Sequence, residues 1–243
     1  MQALNWRRWC AALLATSALA GCGGSDDDDD TEAPPTQPPV TQPDPTPADK
    51  VLFIGVDGLT YDAMRRGVAD KFLPNIAQFN ATRAWTGGVT DAPTQQPTLL
   101  APGWATLLTG QWADQHGVRY SVQGETLQSP TLFQRVKQAR PEARSAAAFN
   151  STVLAGLIAG QRDAGYLQSL TDCAGADDCV AAQARDRITE GYDVVVAQFG
   201  APERVASENG FGSAYDSAIR QADAAIGALA KQIADRKAEH PGE

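Results

Sequence analysis

An α/β fold with a largely parallel sheet between helical layers is predicted by three observations. The stretches KVLFIGVDG (residues 50–58) and YDVVVAQFG (residues 192–200) are continuous apolar runs rather than alternating ones, the pattern of strands buried on both faces of a sheet. Segments of helical pattern are interleaved with such runs, the chain order of parallel sheets covered by helices. The first run also ends in Asp57-Gly58, placing an acid at the carboxyl end of a strand, the edge where ligands gather in such sheets.

The remaining elements follow in order. A helix is predicted over Pro74 to Ala81 and a short strand over Ala84 to Val89. Pro102 opens a helix that runs through Leu108 and stops at Gly110, with proline in the first turn and glycine past the last. Leu132 to Gln138 reads as helix, Ser145 to Phe149 as strand and Asp178 to Thr189 as helix. After the second buried strand, Ala214 to Ala238 forms a long amphipathic helix with apolar Ala218, Ile219, Ala222, Ile226, Leu229 and Ile233. Asp57 and the loop after Phe199 would both lie at the carboxyl edge of the sheet. No internal repeat is visible.

Three regions are expected: residues 1–21 a signal peptide, 22–50 a tether and 51–243 the folded domain. Arg7 and Arg8 precede a short apolar stretch from Cys10 to Leu19, about ten residues where a ~30 Å bilayer core needs ~20. Leu19-Ala20-Gly21-Cys22 is similar to the lipobox of bacterial lipoproteins, which implies acylation at Cys22 and anchoring to a membrane. Gly23 after that cysteine lacks the aspartate associated with inner-membrane retention, so the expected location is the bacterial cell envelope, at the outer membrane facing the periplasm. Residues 23–49 contain the Asp26–Asp30 run, seven prolines and one aliphatic larger than alanine, Val40, a composition for a solvated spacer and not a core.

From Val51 onward the chain carries 17 basic and 21 acidic residues, a net charge of -4. With no basic patch, nucleic acid is excluded as an expected partner. Cys173 and Cys179 in DCAGADDC read as a disulfide in an exported protein; a metal site is the weaker reading, because no histidine lies nearby.

Three stretches together, VLFIGVDGLTYDAM, TLLAPGWATLLTGQWADQHGV and VVAQFGAPERVASENGFGSAYDSAI, resemble the alkaline phosphatase superfamily, most closely its type I phosphodiesterase and nucleotide pyrophosphatase branch. The resemblance implies a three-layer sandwich and a two-zinc hydrolase. One metal would ionise a Ser or Thr nucleophile and the other would bind the phosphoryl oxygen, a pair that stabilises both the attacking and leaving oxygens.

Carried over position by position, the resemblance makes Asp57 a metal ligand. The nucleophile position, two residues before the proline of the helix start, holds Leu100, which cannot attack phosphorus and offers no donor atom. Thr98 is the nearest upstream hydroxyl, but residues two apart on an extended chain are ~6.6 Å apart and metal–oxygen bonds are only ~2.0–2.2 Å. Ser121 stands where an asparagine of the family donates to phosphate. His116 in the HGV tail is expected to be structural. In the Phe-Gly-x-Pro-Asp-x-x-Gly-His pattern of the second metal site the matched residues are Glu203 and Ser207; glutamate keeps the charge, whereas a serine hydroxyl is a poor zinc ligand beside imidazole.

The residues given contain no later Asp-His-Gly ligand set of the kind that completes both metal sites in relatives, and the sheet is expected to lack its C-terminal strands. Three readings stand. The first is a lipid-anchored protein that has lost hydrolysis and serves as a binding or interaction domain, phosphate-like or nucleotide-like molecules being candidate ligands at the helix start near Pro102. In the second, Asp57 and Glu203 hold a divalent ion for slow phosphoester cleavage; two carboxylates without imidazole favour Mg or Mn over Zn. The third is the front half of an interrupted gene, with an exposed sheet edge.

Overall fold

The computed structural model describes residues 50–241 apart from Arg83 and Trp85. The signal peptide, Cys22, the Asp26–Asp30 run and the tether lie outside the described residues, save Lys50 at the end of the tether.

The described chain runs β1 (Val51–Val56), α1 (Tyr61–Ala69), a 3-10 turn (Ile76–Gln78), α2 (Leu100–Thr109), α3 (Ala113–His116), α4 (Leu132–Ala139), β2 (Ser145–Phe149) and α5 (Thr152–Asp163). It continues through β3 (Ser169–Asp172), α6 (Asp177–Thr189), β4 (Val194–Phe199), α7 (Ala201–Asn209) and α8 (Ser213–Glu239). The strands form one parallel sheet in the order β1-β4-β2-β3.

Two helical layers cover the sheet, and side-chain alternation along each strand divides it between them. On one face Phe53, Ala147, Phe149, Val194 and Val196 pack against Ala101, Trp104, Ala105 and Leu108 of α2 and Leu154 and Ile158 of α5. On the other, Leu52, Ile54, Val56, Ala148, Val195, Ala197 and Phe199 meet Val180, Ala184 and Ile188 of α6 and Leu229 of α8. The continuous apolar run of β4 is thus explained, since like β2 it is central and buried at every residue, whereas β1, read from sequence as equally buried, lies at the edge of the described sheet and is only part-buried. A third cluster joins α1 to α8 through Ala63, Leu73, Tyr215 and Ile219. Among the described residues no helix is long and apolar enough to cross a membrane.

Two predicted elements are corrected. Pro74 to Ala81 is not a helix but a single 3-10 turn at Ile76–Gln78. The buried carboxylate of Asp223 on α8 accepts from the backbone of Asn75 and Ile76 and starts the turn. The chain then leaves into extended backbone at Phe79, which is 58% exposed, so nothing on its far side could bury a continued helix. Ala84 to Val89 is not a strand in its described residues, because Gly87 and Gly88 take φ of 83° and 73°, a left-handed conformation incompatible with a pleated ladder.

The helix expected from Pro102 begins two residues earlier, at Leu100, and ends as expected at Gly110 in the left-handed conformation. The segment after Phe199 is not a loop; α7 starts at Ala201, with only Gly200 between.

Candidate functional site

The sheet register brings the carboxyl ends of β1, β4 and β2 together. Val56 lies beside Phe199 and Phe149 beside Gln198, and the Asp57 N–H extends the ladder by donating to Phe199 O at 2.9 Å. The chain turns at Gly58, φ 75°, whose carbonyl accepts from the buried Tyr215 hydroxyl at 2.7 Å. Asp57 is therefore fixed at the sheet edge by both backbone and turn.

Both carboxylate oxygens of Asp57 are engaged by neutral donors. The Trp104 indole Nε1 donates to Oδ1 at 2.9 Å, and the Gln198 side-chain amide donates to Oδ2 at 2.6 Å. Trp104 reaches it because Gly55 leaves room: a Cβ there would strike the indole ring. Gln198, 1% exposed, is held in orientation because its Oε1 accepts from the Ser151 N–H at 2.9 Å. Withdrawal from water pushes the Asp57 carboxyl up to about 6; the two hydrogen bonds pull it down, and the charges of Glu203 and Asp177 push it up further.

Asp177, in the first turn of α6, forms a second node. It accepts from Asn150 Nδ2 at 2.7 Å, Gly200 N at 2.9 Å and Ala201 N at 3.0 Å, satisfying the free donors at the start of α7. This explains why helix replaces the expected loop. The disulfide Cys173–Cys179 (Cα atoms 5.6 Å apart) ties the residue after β3 to the same first turn of α6.

Glu203 and Ser207 lie one turn apart on α7 and are both exposed. The backbone of Glu203 rests on Gly58, where a Cβ would lie 2.9 Å from Glu203 Oε2. The structure so brings Asp57 and Glu203 into one neighbourhood.

Leu100, the first residue of α2, is part-buried and packs against the core on that face. Thr98 is exposed; a Cβ on Gly87 would lie 3.3 Å from its methyl group. Ser121 Oγ accepts from the Ala101 N–H at 2.9 Å, Pro102 has no N–H, and Gly103 N donates to Leu99 O at 3.0 Å. Of the backbone donors expected near Pro102, the Ala101 N–H is thus taken by Ser121 and the Gly103 N–H by Leu99.

His116 is fully buried. Its Nδ1 accepts from Val118 N at 3.1 Å and its Nε2 faces Thr106 Oγ1 at 3.2 Å, the neutral tautomer with hydrogen on Nε2. Burial lowers its pKa. The ring joins α2 to α3, and Gln96 completes the join by donating to Thr106 Oγ1 and accepting from Ala113 N.

A two-zinc centre does not fit these residues. Zinc sites take about four donors, or three and a water, whereas among the described residues no three His, Cys, Asp or Glu side chains converge. Trp104, Gln198, Asn150 and Asp177 were not singled out from sequence. Gln198 did carry a signal, as the one polar residue within an apolar strand; Trp104 lay unmarked inside the PGW motif.

Comparison with known proteins agrees with the resemblance carried by the motifs. Residues 51–142 match the model of the type I phosphodiesterase / nucleotide pyrophosphatase family. Phosphonoacetate hydrolase from Sinorhizobium meliloti 1021, solved with phosphonoacetate, superposes with a TM-score of 0.53 at 14% identity over 76% of this chain and 54% of that one. Murine ectonucleotide pyrophosphatase / phosphodiesterase 5 gives 0.54 at 15% identity over 78% of this chain and 53% of that one, and its inactive form in complex with AMP gives 0.53. The chain spans about half the length of these structures. No curated protein matches it in sequence. The fold is that of the alkaline phosphatase superfamily.

Proposed function

We propose that this chain, whose domain has the phosphodiesterase/pyrophosphatase-like fold of a zinc-dependent family, is a lipid-anchored protein of the bacterial envelope that has given up phosphoester hydrolysis and acts as a non-catalytic binding domain. The observation that carries the reading is the pairing of Leu100 at the nucleophile position with an Asp57 whose two oxygens are bonded to Trp104 and Gln198. Hydrolysis by a two-metal route needs an ionised nucleophile and several converging donors; this site has hydrocarbon at the first position and neutral hydrogen bonds at the second. The Leu19-Ala20-Gly21-Cys22 sequence supports acylation at Cys22, and Gly23 supports the outer membrane facing the periplasm.

A second reading is favoured by one observation, the seating of Glu203 on Gly58 beside Asp57. Two carboxylates in one neighbourhood could hold Mg or Mn for slow cleavage by bound water. Turnover of bis(4-nitrophenyl) phosphate from pH 6 to 9 with Zn, Mg or Mn separates the two. The non-catalytic reading expects no metal-dependent rate; a rate lost on Asp57→Ala would establish the second.

A further inference from the structure

We propose that the disulfide Cys173–Cys179 is a redox-operated clamp on the carboxyl edge of the sheet: closed, it keeps Asp177 as the cap of α7, and opened by a dithiol it releases the start of that helix. The bridge joins residues only 6 apart in sequence, and the loop it closes grips Asn150 at the end of β2. Gly175 N donates to Asn150 O at 2.7 Å. Asp177 accepts from the Asn150 side-chain amide, while its carboxylate also holds Gly200 N and Ala201 N. One side chain thus joins β2, α6 and α7. The start of α7 has no cap of its own, because Gly200 at its N-cap carries no side chain.

Two features make the bridge the element that holds this loop in shape. Ala174 sits at φ 48°, the left-handed region that a residue with a Cβ adopts only where its surroundings over-determine it. The first turn of α6 is also uncapped: Ala176 at its N-cap makes no side-chain bond, and Asp177 spends its carboxylate on α7 instead. Cys179 in that turn is tied to Cys173, which is buried and anchored to β2 by its N–H to Phe149 O at 2.8 Å. Because α7 rests the Glu203 backbone on Gly58, the clamp reaches the turn that follows Asp57. Cys179 is part-exposed, so a thiolate of the dithiol attacks its Sγ. The bridge breaks, Cys173 leaves as a thiolate and takes up a proton, and the second thiol of the reductant then displaces Cys179. Two electrons pass to the protein, and the dithiol ends as its own disulfide.

The test uses the full chain carrying Cys10→Ser and Cys22→Ser, so that Cys173 and Cys179 are its only cysteines. Amide exchange is compared with the bridge closed and after reduction by dithiothreitol, thiol labelling confirming each state. The Gly200 and Ala201 amides are expected to exchange about tenfold faster on reduction, within the ceiling of roughly 40-fold that closing so short a loop sets. The Ala63 and Gln134 amides, held by Thr60 and Thr131 at the starts of α1 and α4, are expected to keep their rates. Asp177→Asn is expected to speed Gly200 and Ala201 with the bridge still closed, and reduction of that variant to add less than about twofold, because bridge and carboxylate act in series. Where the variant does not fold, the closed and reduced forms of the parent decide. Unchanged exchange at Gly200 and Ala201 overturns the proposal, as does a bridge that dithiothreitol leaves intact in the folded chain. Equal acceleration at all of these amides overturns it too, because the disulfide then acts on the unfolded chain alone, and a full tenfold effect in Asp177→Asn overturns the route through Asp177.

Discussion

Substituting Asp57 by Asn tests whether this carboxyl is a structural hydrogen-bonding group or a cation ligand, through the sign of a pH dependence. The carboxyl is raised from 3.8 to about 6, chiefly by burial, so between these values the folded chain holds the proton more tightly than the unfolded chain does. The stability from this group is fully present below pH ~4 and is lost as pH rises through about 6. The shift corresponds to roughly 3 kcal/mol. Asn carries no charge at any pH, and its NH2 facing Gln198 Nε2 adds an offset that does not titrate. Asp193 and Asp216 are lowered, Asp193 by the Arg144 backbone N–H, Lys50 and Arg140 against its burial, and Asp216 by Arg66. They lose stability as pH falls, but do so in both proteins and cancel in the difference. Urea unfolding of wild type and Asp57→Asn at intervals from pH 4 to 7.5 should show wild type gaining most of this, about 2 kcal/mol, relative to the variant on acidification. A flat difference would refute the burial argument. A reversed slope, with Asp57 more stabilising as pH rises, would mean that the carboxylate is paired with a cation.

Three further outcomes are expected. Gly55→Ala drives a methyl into the buried Trp104 ring, and an overpacked core costs about 1–3 kcal/mol; a lowered Tm with altered Trp fluorescence would be read together, and an unchanged Tm would show that the indole is not wedged against β1. Ser121→Ala leaves the Ala101 N–H of α2 without its acceptor and should cost about 1 kcal/mol in urea unfolding, with no gain of activity. Leu100→Thr combined with Ser207→His supplies two missing donors, the second one turn from Glu203, and should raise zinc affinity in a calorimetric titration above that of wild type; no change would mean that α7 faces away from Asp57.

The central sheet was legible because its strands are extreme: an apolar run such as VVVAQF has few homes other than a doubly covered strand, and the strand at Ser145–Phe149 falls where the sequence places it. The elements that escaped are those whose stability comes from distant partners. α1 carries Asp62, Arg65, Arg66 and Gly67 with little apolar stripe, and is held by the Thr60 cap and the Arg66–Asp216 ion pair. α5 contains Gly156 and Gly160, residues that lower helix propensity, and β3 is too short and polar to read as a strand. α7 forms where an Asp177 more than twenty residues upstream caps its start.

The candidate site divided the same way. Asp57 announced itself as an acid at a strand end, and the loss of the nucleophile was readable from Leu100 alone. That Asp57 is bonded to Trp104 and Gln198 was not, because these contacts join positions 47 and 141 residues apart and depend on the register of β1 against β4. Nor could sequence tell that Ser121 would turn inward to Ala101 rather than outward to an anion.

Metal content tests the account most directly. The full chain carrying Cys22→Ser, purified, equilibrated with micromolar zinc and passed through a desalting column, should emerge with well under one zinc per chain by elemental analysis, since Asp57 and Glu203 alone offer too few donors. Two zinc ions retained per chain would contradict it.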